Sequence, residues 1–132
     1  MVLLTIISLS LMFGVIVASA WSIDNPESVK EYIGYVAGKE KVSVGMALAI
    51  AKAESNFNKD AKNPVGTASG IFQFLDSTFR TYCINKYRMT DTMEQKNNPF
   101  IQTNCAIEML KEPQGYMHWF ASFNGWGHLL PT

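Results

Sequence analysis

From residue 24 onward, apolar side chains return every third or fourth position along most of the chain, the period of helices that bury one face. Asn25-Pro26 reads as a cap followed by proline at the first helical position and opens a helix towards Gly38. Ser43 caps the next helix, whose Val44, Ala47, Leu48 and Ala51, with Ile50 beside them, form one apolar stripe. That helix is expected to fray near Asn56, because residues 58–69 (NKDAKNPVGTAS) are dense in turn formers. Asp76 is the expected cap of a helix from Ser77 to about Tyr87 that carries Phe79, Tyr82 and Cys83. Asn98-Pro99 repeats the cap-plus-proline signature and opens a helix through Cys105 to Lys111, stopped by Pro113. A last helix is expected from about Gly115 to Phe123, ending at the glycines of Asn124-Gly125-Trp126-Gly127. No alternating stretch is long enough to read as a strand, although a short β-turn piece fits between residues 60 and 75. The pattern predicts an all-α fold, α+β at most.

The first 23 residues stand apart: they carry no charged side chain and run MVLLTIISLSLMFGVIVASAWSI. Ala18-Ser19-Ala20 matches the small-residue pattern at which a signal peptidase cuts, so 1–20 read as a signal peptide and 21–132 as the mature domain. The segment lacks Lys or Arg at its start, and an uncleaved anchor is the competing reading, since about 20 apolar residues span a bilayer. Either way the domain is expected outside the cytoplasm, periplasmic or secreted. A chain of 132 residues has room for one core. Cys83 and Cys105 are the only cysteines, and in an oxidising compartment such a pair reads as a disulfide. Two separate buried thiols are the alternative. Neither cysteine has a Cys or His neighbour at ligand spacing, so no metal and no cofactor are expected.

Eleven acidic and eleven basic residues cancel, and no basic run breaks the balance, so the electrostatic footprint of nucleic-acid binding is missing. A neutral polymer is compatible with this balance, which does not by itself point to one.

Glu54 ends the most apolar helix, in ALAIAKAESNF. A carboxylate there faces the negative end of the helix macrodipole, and apolar neighbours disfavour its charge further. Both effects favour a protonated acid near neutral pH, which glycosidic cleavage requires. A solvated Glu at a helix end is the plainer alternative. The following turn adds to the case: Gly66-Thr67-Ala68-Ser69-Gly70 lets backbone approach a ligand, and Ile71-Phe72-Gln73-Phe74 sets an amide among apolar rings. Rings cover the apolar faces of sugars, and Gln73 can donate and accept hydrogen bonds; a satisfied core amide remains the other reading.

Residues 49–79, AIAKAESNFNKDAKNPVGTASGIFQFLDSTF, resemble the core of the lytic transglycosylase family with a lysozyme-like catalytic domain. That family carries a helix ending in Glu-Ser, a Phe three residues after the Glu, an Ala further on and a Gly-x-x-Gln turn. Here Glu54, Ser55, Phe57, Ala61 and Gly70-Ile71-Phe72-Gln73 hold those positions. NPFIQTNCAIEMLK is similar to the family's proline-led helix, and ASFNGWG to its closing Ala-Tyr-Asn-x-Gly element through Phe123, Asn124 and a glycine. The resemblance implies a lysozyme-like domain acting on the glycan strand of peptidoglycan with one carboxyl group. Glu54 would protonate the oxygen between N-acetylmuramic acid and N-acetylglucosamine, then act as base to give a 1,6-anhydro product. Ser55 and Gln73 would position substrate and acid, and Phe123 and Asn124 would line the site opposite. Small members of the family serve secretion, conjugation or pilus assemblies, so such an assembly is the implied partner of a monomeric enzyme.

Two departures bear on the site. Phe123 stands where the family usually has Tyr, which removes a hydroxyl near the acid, and Ile71-Phe72 replace the commoner Leu-Met. A two-carboxylate hydrolase would need a second acid, for which Asp60 in the turn and Asp76 at a helix start are the nearest residues. His118 and His128 match no triad or ligand spacing. Tyr32, Tyr35, Tyr116 and Trp119 fit groove or core equally, and Trp126, beside glycines, is the candidate for stacking on sugar. A hydrolytic muramidase using the same Glu54 and a non-catalytic glycan-binding protein are the alternative functions.

Overall fold

A computed structural model describes residues 21–130, and the expected signal peptide, 1–20, lies outside them. Helix α1 spans Pro26–Lys39. Its start is fixed by a reciprocal cap: Ser28 N donates to Asn25 Oδ1 at 3.0 Å, and Asn25 N donates to Ser28 Oγ at 3.1 Å. Val29, Ile33, Val36 and Ala37 form its buried face. Ile33 is fully enclosed, which stabilises the fold by about 2 kcal/mol relative to exposure.

Helix α2, Val44–Ser55, is capped by Ser43, whose Oγ accepts from Met46 N at 3.2 Å. Its core face is Ala47, Ile50 and Ala51, while Val44 is exposed and Leu48 half-buried. The buried stripe is therefore rotated towards Ile50 from the expected one. Small alanines face the core, and Val44 instead covers the glycines of α1, with its methyls 3.9 and 4.0 Å from where Gly34 and Gly38 side chains would begin. The helix stops abruptly: Asn56 and Phe57 both take left-handed backbone, with φ of 51° and 63°.

Residues 58–75 form the expected turn region. No strand forms among the described residues, but isolated antiparallel bridges join Lys62 to Ser69 and Ser69 to Phe74. Helix α3 is a short α-helical start, Asp76–Thr78, that widens into a π-helix over Phe79–Lys86. Asp76 does not cap it: Leu75 occupies the cap position with no side-chain bond, and Asp76 lies inside the first turn, paired with Lys96 Nζ at 2.7 Å. Helix α4, Pro99–Lys111, begins as expected, Asn98 Oδ1 accepting from Phe100 N at 3.0 Å and Ile101 N at 3.2 Å.

The expected last helix is instead a 3-10 segment, Gly115–Gly125, broken at Trp119 (φ −112°, ψ 22°). The break lets the Trp119 indole reach inward, where Nε1 donates to the Phe72 carbonyl at 2.9 Å. A further 3-10 turn spans Gly127–Leu129. Helix α1 packs on α2 and α4, the 115–125 segment also packs on α2 and α4, and α3 packs on α4. A disulfide between Cys83 and Cys105 ties α3 to α4. The fold is all-α, and no described helix is long and apolar enough to cross a membrane.

Candidate active site

Glu54 occupies the last turn of α2 and is half-buried. Burial holds its carboxyl above the usual carboxylate range, and the hydroxyl of Ser122 partly opposes that rise. No charge from a neighbouring side chain enters the balance. The two acids considered as partners are engaged elsewhere, Asp60 with Lys59 at 3.1 Å and Asp76 with Lys96.

The floor beside the acid is the turn after α2. Ser55 Oγ donates to the Ile71 carbonyl at 2.7 Å, with the Ala51 carbonyl at 3.2 Å. That bond fixes the turn to the end of α2, so Ser55 acts on backbone geometry next to the acid. Gln73 takes left-handed backbone (φ 51°), and its Nε2 donates to the carbonyls of Gly70 at 2.9 Å and Ala61 at 3.2 Å. With both amide hydrogens on backbone, Oε1 is the atom left to meet a ligand donor.

Sequence reasoning missed Gln102, which holds this turn from behind. It is buried on α4; Oε1 accepts from Phe72 N at 3.0 Å, and Nε2 donates to the Ser69 and Lys96 carbonyls, both at 2.9 Å. Gly70 (φ 83°) lies so close to that amide that any side chain there would collide with it. An isolated Gln inside an otherwise apolar helix face was the only signal, and it does not distinguish a core amide from an exposed one.

The closing segment faces the acid from the other side. Gly125 approaches α2 so tightly that a β-carbon there would stand 3.1 Å from Ala53 Cβ. A shallow depression of about 410 Å³ lies between them, lined by Ala49, Lys52, Ala53 and Gly125. Phe123 is half-buried and Asn124 exposed, so both remain available to a ligand. Trp126 is not: it is completely buried, edge-on to Phe123 with ring centres 5.2 Å apart, and Nε1 donates to Ser122 Oγ at 3.0 Å. The expected stacking role is corrected, because a ring enclosed on both faces offers none to a sugar. The open ring of this segment is Phe120, 56% exposed and 5.3 Å from Phe123.

Residues 31–123 match the family model described as the transglycosylase SLT domain. The chain belongs to that family. No curated protein and no solved structure matches it. The SLT match takes in Glu54, the Gly70–Gln73 turn, α4 and Phe123, and its general activity is lytic transglycosylase-type cleavage of peptidoglycan. Within this SLT domain the hydrogen-bonding groups around the Gly70–Gln73 turn are backbone, amide and hydroxyl, a lining suited to a sugar chain.

Proposed function

We propose that the protein is a peptidoglycan lytic transglycosylase in which Glu54 is first acid and then base. One observation carries this reading: a half-buried carboxyl, held towards its protonated form, with no second carboxylate among the described residues acting on it. In the first step the Glu54 proton goes to the β-1,4 glycosidic oxygen between N-acetylmuramic acid and N-acetylglucosamine, and the bond from that oxygen to the anomeric carbon breaks. The acetamido oxygen of the muramyl residue closes on the anomeric carbon. In the second step the Glu54 carboxylate takes the proton of the 6-hydroxyl, whose oxygen displaces the acetamido oxygen and leaves a 1,6-anhydro ring. Glu54 ends protonated, as it began. Gln73 Oε1 and Asn124 orient the strand, Phe123 and the Gly125 edge border it, and Ser55 holds the turn in register with the acid.

Export by the N-terminal segment would place this activity in the periplasm or outside the cell, and a small catalytic domain suits local opening of the wall for a secretion, conjugation or pilus assembly. Mass spectrometry of products from purified peptidoglycan tests the chemistry. Anhydromuramyl ends are expected, and Glu54→Gln should reduce their formation by at least about a thousandfold, since general acid and base roles are both lost. Reducing ends in their place would assign a hydrolase. Undiminished cleavage by the folded Glu54→Gln variant would remove the catalytic role from this residue.

A further inference from the structure

Where residues 62–69 meet the short 3-10 turn Met93–Gln95 and the two residues after it, a polar cleft of about 440 Å³ opens. It shares its turn with Gln73. The Gln73 amide donates to the Ala61 and Gly70 carbonyls, and the residues next to those two, Lys62 and Ser69, pair in an antiparallel bridge that lines the cleft. One side chain fixes both walls, because Gln102 Nε2 donates to the Ser69 and Lys96 carbonyls.

The cleft contains a buried cation. Lys96 is 7% exposed, and its Nζ donates to the Thr67 carbonyl and to Asp76 Oδ1. An ammonium carries three hydrogens, so one remains to give. Asn97 Oδ1 accepts from Ser69 Oγ at 2.7 Å and Asn63 Oδ1 accepts from Val65 N at 2.9 Å, and among the described residues neither amide NH2 group has an acceptor. Lys62 and Glu94 line the same cleft, and neither enters an ion pair among the described residues. The lining therefore offers ammonium groups, carboxylates and amides together, with no aromatic ring.

That mixture excludes most ligands. A sugar finds no ring to cover its apolar face, and a polyanion meets the carboxylates of Asp76 and Glu94. What complements the cleft is a short chain of amides with a free carboxylate and a free amine. The substrate itself carries such a chain, since the muramyl residue of peptidoglycan bears a peptide with both groups. Three extended residues of it reach about 10 Å from the sugar. We propose that this cleft binds the peptide of the muramyl residue, its carboxylate on Lys62 and Lys96 and its amine on Glu94 and Asp76, so that strands bearing peptides are preferred to bare ones. The proposal rests on the peptidoglycan-cleaving role given above. Asn63 and Asn97 donate to the peptide carbonyls. Because Asp76 already neutralises Lys96, discrimination by charge falls to Lys62 and Glu94.

The test measures kcat/KM on purified glycan strands with their peptides and on strands stripped of them, for wild type, Lys62→Ala/Glu94→Ala and Glu54→Gln. Lys62 and Glu94 are both exposed, so the double variant should melt with wild type. Wild type should favour peptide-bearing strands about tenfold, through KM rather than kcat, since two exposed charge contacts together supply about that much. The double variant should bring the ratio close to one. A second measurement needs no turnover: the free peptide is titrated into isotope-labelled Glu54→Gln protein and followed by NMR. Backbone amide shifts are expected at Asn63, Gly66 and Asn97, and should vanish when Lys62→Ala/Glu94→Ala is added. A wild-type ratio of one, a ratio kept by the double variant, or shifts confined to other residues would overturn the peptide cleft while an inactive Glu54→Gln upheld the acid. An active Glu54→Gln with the expected shifts would overturn the acid and leave the peptide cleft standing.

Discussion

At Glu54 the requirements of chemistry and of folding pull in opposite directions. Its carboxyl titrates above the ordinary range because burial disfavours the charge. The folded state thus holds this proton more tightly than the unfolded chain does. The contribution to stability is complete below the unfolded value, about pH 4, and is lost as pH rises through the raised folded value. Glu54→Gln has no charge to bury. Its melting temperature should match wild type near pH 4 and exceed it near pH 8, as thermal melts across that range would show; a gap independent of pH would mean that the charge is not buried. His118 slopes the other way, since burial lowers its value and its contribution is lost as pH falls. Both proteins carry His118, so their difference isolates Glu54. Sequence alone singled out Glu54 and Gln73 because a recognisable spacing frames them. Ser122 and Gln102 had no such frame. Trp126 went astray because an aromatic beside glycines reads the same in a groove and in a core, and only the packing of Tyr116 and Phe123 around it decides.

Among elements, the starts of helices were the most legible, because a cap is written in two to four adjacent residues. Asn25-Pro26, Ser43 and Asn98-Pro99 all behave as their chemistry requires. Asp76 failed as a cap because a buried cation, Lys96, attracts its carboxylate more strongly than backbone amides do. The π-helix at Phe79–Lys86 and the 3-10 segment at Gly115–Gly125 were illegible as such. Segments that short hold only a few turns, too few repeats for apolar spacing to identify the winding, and tertiary contacts select it. The turn between α2 and α3 makes a sharper prediction. Gly70→Ala adds a methyl against the Gln102 amide at a positive φ and should cost about 3 kcal/mol, with activity lost in parallel. Gly66→Ala, also at positive φ but in open space, should cost only about 1 kcal/mol. Urea denaturation of the two variants checks the contrast, and equal losses would remove Gln102 as its cause.

Across the whole molecule, the all-α class followed from helical periodicity and the absence of alternation, and the cysteine pair from the redox logic of a chain expected to be exported. What could not be foreseen was how the helices meet, since that depends on small residues such as Ala47, Ala51 and Gly125 setting distances between backbones. The disulfide closes a loop with a sequence separation of 22, so replacing both cysteines by serine should lower stability by about 3 kcal/mol. Neither α2 nor the Gly70–Gln73 turn lies inside that loop. The variant should therefore keep its activity well below its lowered melting temperature, which assays at two temperatures would show; loss of activity at both would mean that the bridge shapes the site itself.

Glu54 is tuned by enclosure and by a neutral hydroxyl, while none of the other ten acidic or the eleven basic side chains is among the causes of its shift. Surface charge and catalytic power are thus separate inheritances. Outside the cleft at Lys62 and Lys96, the outer residues of this domain are free to change sign, and the acid at the end of α2 need not be retuned when they do.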